Sequence, residues 1–187
     1  MALFTSSREK RRWLWVLAVI AAIYGTLFMG QPLARELRDQ DVQAVFFLIG
    51  MLLAATAVLI HGGRPETSRY ELVVILGILA VYTMFVFRLG APERSHLIEY
   101  SVLAIFIHRA LSERARHRKP GLAPALLAVI LASLVGILDE GIQWFLPNRV
   151  FDPEDMFFNI MAAGMAVGAS SLLLWVRGKY KRKRKGG

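Results

Sequence analysis

Apolar residues in this chain run in blocks, not in the spaced patterns of a soluble domain. Six such blocks occupy 13–30, 43–60, 72–87, 95–111, 122–145 and 156–176. A helix needs about 20 predominantly apolar residues to cross the hydrocarbon core of a bilayer. The blocks therefore predict an all-α, polytopic membrane helix bundle of about six transmembrane helices. The third and fourth blocks are short or polar, so four or five crossings is the alternative. Turn chemistry falls between the blocks: Pro32, Gly62-Gly63, Gly90 with Pro92, Pro120-Gly121, and Pro147 with Pro153. The chain divides into a basic lead (1–12), a transmembrane domain (13–177) and a basic tail (178–187). The last ten residues are expected to be unordered.

Charge adds an orientation. The net charge is +9, with 23 Lys and Arg. If the helices start and end in the cytoplasm, 18 of the 23 fall on the inner side. The five outside are Arg35, Arg38, Arg88, Arg94 and Arg149. That asymmetry follows the positive-inside rule and puts both termini in the cytoplasm. The tail Lys179–Lys185 flanks a membrane segment, so lipid headgroups are its expected partner and nucleic acid is not. The first block has no Ala-x-Ala site before Gln31-Pro32 and reads as an uncleaved anchor. With 56% hydrophobic residues in 187, no separate soluble domain fits. The absence of cysteine excludes disulfides, thiolate nucleophiles and Cys-based metal sites.

Three segments carry polar groups into these apolar surroundings. His96, Glu99 and Tyr100 share a helical face, spaced i, i+3, i+4. Gln143 follows Asp139 by four residues and Glu140 by three. Asp155 and Asn159 are again four apart. At about 1.5 Å of rise per residue, His96 and Glu99 lie roughly 6 and 10 Å in from Pro92. Glu140 and Asp139 lie roughly 10 and 12 Å in from Pro147, and Asn159 roughly 9 Å from Pro153. The three segments thus place polar groups at one depth, reachable from the outer leaflet. Buried carboxylates there need protons or cations, and Arg88, Arg94 and Arg149 are the candidates. Arg149 can hold Asp139 or Glu140, or clamp a ligand phosphate with its planar fork.

Other residues read as structural. Asp152 fits a helix N-cap, Pro153 the first helical position and Asp155 the third position of a capping box. Gly164 and Gly168, with alanines around them, form a small-xxx-small packing face. His61, His108 and His117 fall at or near cytoplasmic loops and read as solvated. Trp13, Trp15, Trp144, Trp175 and Tyr180 fall at expected membrane interfaces.

The polar segments also resemble the VanZ-like family of small bacterial integral membrane proteins. The matching stretches are Glu93-Arg94-Ser95-His96-Leu97-Ile98-Glu99-Tyr100, then Asp139-Glu140-Gly141-Ile142-Gln143-Trp144-Phe145-Leu146-Pro147-Asn148-Arg149. The third is Asp152-Pro153-Glu154-Asp155-Met156-Phe157-Phe158-Asn159, followed by Gly164 and Gly168. The resemblance covers the chain from about residue 70; before that only the apolar segments match. The family's histidine segment often has Asp-Lys before the histidine and an aromatic after it. Here Glu93-Arg94-Ser95 precedes and Leu97 follows, with the charge signs kept. The resemblance implies a multi-pass protein of the bacterial cytoplasmic (inner) membrane, linked to the cell envelope and to susceptibility to the glycopeptide teicoplanin.

The candidate site then takes the following form. His96, Glu99, Asp139 and Glu140 are the candidate acid–base groups. Arg94, Tyr100, Gln143, Arg149, Asp152, Asp155 and Asn159 are candidate ligand-binding groups. The set suits a hydrolase, a transferase or a receptor for a lipid-linked envelope precursor. No nucleophile motif is present, and Ser95 points about 100° away from His96 on a helix. No cofactor is expected, although the oxygen donors suit Mg²⁺ or Ca²⁺, while one histidine without cysteine disfavours zinc. A proton relay lacks matching acids on the cytoplasmic half. The alternative is a non-catalytic scaffold in which the polar cluster only locks helices together.

Overall fold

The computed structural model describes residues 4–36, 68–89, 91–117, 122–146 and 151–185. Among them lie five helices and no strand: α1 (Ser7–Glu36), α2 (Arg69–Arg88), α3 (Ala91–His117), α4 (Pro124–Gln143) and α5 (Pro153–Lys185). Among the described residues, three spans are long and apolar enough to cross a membrane: Arg69–Arg88, Pro124–Gln143 and Pro153–Tyr180. The chain is a helical membrane protein. The block expected at 43–60 lies outside the described residues.

Local chemistry explains the helix ends. Ser68 caps α2 by accepting from the Tyr70 N–H at 3.1 Å, and the Leu89 N–H closes it on the Phe85 carbonyl at 2.9 Å. Pro124 opens α4. Asp152 caps α5, its Oδ1 accepting from the Glu154 N–H at 2.8 Å. Two helices overrun their expected ends. α3 continues through the basic stretch to His117, and α5 continues through the tail to Lys185. Lys and Arg are good helix formers, and cations sit favourably at a helix C-terminus.

The chain forms two compact units. Unit 1 comprises Met1–Gly30 and Gly90–Gly168. Its core takes Leu97, Tyr100, Leu103, Ala104 and Ile107 from α3, with Val16 and Ile23 from α1. α4 contributes Ala128, Ala132, Gly136, Asp139, Glu140 and Gln143, none of them a large aliphatic. Its large residues Leu126, Ile130, Leu134 and Leu138 are exposed instead. Small and polar inside with bulky apolar outside is the pattern expected where the solvent is lipid. Such a solvent gives apolar side chains no reason to hide, and close packing needs small residues.

Two contacts fix the helix directions in unit 1. The Arg12 guanidinium donates to the Arg109 carbonyl at 2.6 Å and lies 3.1 Å from Glu113, while Glu9 lies 3.6 Å from Arg114. The N-terminal end of α1 therefore packs on the C-terminal end of α3. Gly136 of α4 packs directly on Asn159 of α5. Stepping by turns from that contact reaches Ala132 and Ala128 on α4 and Ala163 and Val167 on α5, all four buried.

That seam corrects the expected packing face. Ala162, Ala163 and Ala166 are buried, but Gly164 and Gly168 are exposed, and a Cβ on either would meet nothing within 4 Å. The glycine needed for close approach is Gly136. His108 is a second correction: it is buried within α3 and not solvated. His117 is exposed, and His61 lies outside the described residues.

Unit 2 comprises Gln31–Leu89 and Ala169–Gly187. Its polar feature is an ion pair between the buried Glu71 of α2 and Arg177 of α5.

Candidate functional site

The site lies in unit 1, where the start of α3, the end of α4 and the start of α5 meet. α3 supplies His96, one turn into the helix, and Tyr100 one turn further; their rings stack with centroids 6.0 Å apart. α4 supplies Asp139, Glu140 and Gln143 from its last turn, and α5 supplies Asp155 and Asn159 from its first two. Trp144, just after α4, makes an edge contact with Phe151, just before α5, centroids 4.9 Å apart.

The geometry centres on His96. Its Nε2 lies 3.5 Å from Asp155 Oδ2 and 4.0 Å from Glu140 Oε1. Glu140 is fully buried and held from two sides. Gln143 Nε2 donates to its Oε1 at 3.0 Å, and the Asp152 backbone N–H reaches its Oε2 at 3.5 Å. Asp139 is 1% exposed. One ligand atom each of His96, Asp139 and Glu140 lies within 4.8 Å of the others, so the trio has the spread of a metal-ligand set. Asn159 is fully buried, and neither atom of its amide has a hydrogen-bond partner among the described residues. The same holds for Nδ1 of His96. An unsatisfied buried amide is costly, by about 1–3 kcal/mol on mutational scales.

The structure therefore brings together His96, Tyr100, Asp139, Glu140, Gln143, Asp155 and Asn159. Glu99 is half-buried and precedes Tyr100 on α3. Asp152 is exposed and serves as the α5 cap, touching the site only through its backbone. The third capping-box position is held by Asp155, whose carboxylate faces His96. Ser95 is exposed while His96 is buried, as the 100° separation requires. Arg94 belongs to α3 by its backbone, but its side chain, like all of Arg149, lies outside the described residues. Two contributors were missed from sequence. Gly136 admits Asn159 to the seam, and the Tyr24 hydroxyl of α1 donates to the Val135 carbonyl at 3.4 Å beside it. Gly136 carried a signal: it falls three and four residues before Asp139 and Glu140, on the same face of α4.

A buried imidazole among carboxylates can hold a proton, a cation or a polar headgroup inside a membrane protein. This defines a class: small helical membrane proteins with a polar cluster at one end of the bundle. The VanZ/LLP1 family model matches residues 13–175, and the chain belongs to that family. No curated protein and no solved structure matches it.

Proposed function

We propose that the cluster is a site, open to the outer leaflet of the bacterial cytoplasmic membrane, that binds or processes a lipid-linked or cell-envelope molecule. The observation that carries this reading is Asn159. A network whose purpose is only to join helices satisfies its own hydrogen bonds. Here a fully buried amide, packed on Gly136 one helical turn before Glu140, has no hydrogen-bond partner among the described residues. A ligand headgroup supplies the missing partners. His96 acts as the acid or base, Glu140 and Asp155 orient it, and Arg149 or Arg94 takes a phosphate or carboxylate.

Orientation follows from charge. The end of unit 1 opposite the site carries Arg8, Lys10, Arg11 and Arg12 of α1 and Arg109, Arg114 and Arg116 of α3. The positive-inside rule puts that end in the cytoplasm, so the site faces outward. Six crossings with both termini inside complete this topology. Altered teicoplanin susceptibility on deletion of the protein is the cellular outcome the reading carries.

A second reading is the helix-locking scaffold. It is favoured by the two hydrogen bonds that Glu140 accepts from Gln143 and Asp152. Native mass spectrometry of the protein in lipid, comparing wild type with Glu140→Gln and Arg149→Ala, separates the two. A co-purified anionic lipid present in wild type and lost in both folded variants supports the site. No specific ligand, or one indifferent to both changes, moves the weight to the scaffold.

A further inference from the structure

The proposed ligand and the observed site carry a conflict of sign. Lipid-linked envelope molecules present phosphates, yet Asp139, Glu140 and Asp155 all gather about one imidazole. Like charges in a low-dielectric pocket repel strongly, so the three carboxylates oppose the phosphate that Arg149 or Arg94 takes. A multivalent cation removes the conflict, because it is the largest local charge in any site it occupies.

We propose that His96, Asp139 and Glu140 hold a divalent cation, of the Mn²⁺ kind, to which the anionic headgroup of the ligand binds. The second half rests on the reading given under Proposed function; the ion site stands on the geometry of the buried trio. Bonds of about 2.1 Å in octahedral geometry put ligand atoms about 3 to 4.2 Å apart. The three donor atoms already lie within 4.8 Å of one another, so small side-chain movements close the shell. All three residues are buried, which distinguishes the trio from a solvated acidic patch.

A further observation points to a ligand at this place. Asn159 lies on α5 one turn beyond Asp155 and packs on Gly136, one turn before Glu140 on α4. Its amide therefore lies about one helical turn from Glu140, with an oxygen that has no donor among the described residues. His96 Nδ1 is likewise buried without a hydrogen-bond partner among the described residues. The shell around the donors is also built. Gln143 holds one oxygen of Glu140, and the Asp152 N–H holds the other. Fixing the ligands in this way is what outer-shell groups do at metal centres. The donor set selects among ions. Carboxylates alone suit Mg²⁺ or Ca²⁺, and several imidazoles or thiolates suit Zn²⁺; one imidazole with two carboxylates lies between and suits Mn²⁺. The chain has no cysteine, so no thiolate competes.

The test uses the full chain in lipid nanodiscs, stripped with EDTA and titrated with Mn²⁺ alone. Free Mn²⁺ is followed by electron paramagnetic resonance, and the melting temperature is read in parallel. The inference expects one saturable Mn²⁺ per chain and a rise in melting temperature. It also expects affinity lowered at least tenfold in Glu140→Gln and in His96→Leu. The exposed Glu154→Gln should bind as wild type. No saturable binding by wild type, or saturable binding that all three variants share, overturns the inference. If Glu140→Gln does not fold, His96→Leu carries the same comparison. An anionic lipid that stays bound in EDTA, with no Mn²⁺ uptake, overturns the ion site and leaves the proposed function standing. Saturable Mn²⁺ uptake with no anionic lipid retained by the protein supports the ion site and counts against the proposed function.

Discussion

Gly136 and Asn159 are in such close contact that a Cβ on the glycine would lie 2.8 Å from the Cβ of the asparagine and 3.0 Å from its amide nitrogen. Real side chains do not approach so closely, so one of the helices must shift when Gly136 becomes alanine. Overpacking of this kind costs about 1–3 kcal/mol. At this chain length each kcal/mol lowers the melting temperature by roughly 2–4 °C. Gly136→Ala is expected to melt below wild type by that amount in detergent. Gly164→Ala, with open space at its Cβ, is expected to melt at or above wild type. Equal behaviour of the two variants would show that α4 and α5 do not meet at Gly136.

The sequence made the polar cluster legible because ionisable groups are rare in apolar helices and easily seen against them. The common depth of His96, Glu140 and Asn159 followed from helical rise alone; in unit 1 His96 lies 4.0 Å from Glu140, and Asn159 packs on Gly136 one turn before Glu140. What the sequence hid is which face of each helix turns inward. In a soluble protein the apolar face turns in, so its period shows the direction. In α4 the apolar residues turn outward and small or polar ones turn in, so that signal is lost. This is why the packing face of α5 was assigned to Gly164 and Gly168, one step out of phase with Ala163 and Ala166. It is also why His108, close to a basic stretch, read as solvated. The overrun of α3 and α5 into basic segments was hidden for another reason. Those segments are polar, but their residues favour helix.

The opposite end of unit 1 gives a pH dependence. Burial works against the charge of Glu9, but bonds from the Thr5 hydroxyl and backbone N–H, together with Arg114, outweigh it and hold the carboxyl below the ordinary value of 4.5. A depressed carboxyl stabilises the fold fully above its unfolded pKa, and that contribution fades as the pH falls through the folded one. Glu9→Gln is expected to melt below wild type at pH 7. The gap should narrow as the pH is lowered below about 4.5. A gap that stays constant down to pH 3 would contradict the assignment. Melting curves of both proteins across this range supply the check.

In unit 2, Arg177 is the ion-pair partner of the buried Glu71. Removing one member of a buried pair leaves the other desolvated and uncompensated. Arg177→Ala is expected to cost about 1–3 kcal/mol, in the lower part of the range for buried pairs because the arginine is partly exposed. The double change Glu71→Leu with Arg177→Leu should recover most of the loss. A double-mutant cycle on thermal stability tests this, and additive losses would contradict it.

The absence of cysteine makes the orientation directly measurable. Glu154 lies at the site end of unit 1 and His117 at the basic end, and both are exposed. Glu154→Cys is expected to react with a membrane-impermeant maleimide in intact cells. His117→Cys should react only after permeabilisation. The reverse pattern would turn the site toward the cytoplasm.

The central claim is that the cluster of His96, Asp139 and Glu140 is where the ligand sits. Photo-cross-linking in native membranes addresses it most directly, with a diazirine-bearing polyprenyl phosphate as probe and peptide mapping of the adducts. The account predicts adducts confined to residues 93–100 and 139–159, displaced by unlabelled lipid phosphate and depleted at least several-fold in Glu140→Gln. Adducts spread over the outward residues Leu126, Ile130, Leu134 and Leu138, unaffected by competitor or by Glu140→Gln, would contradict it.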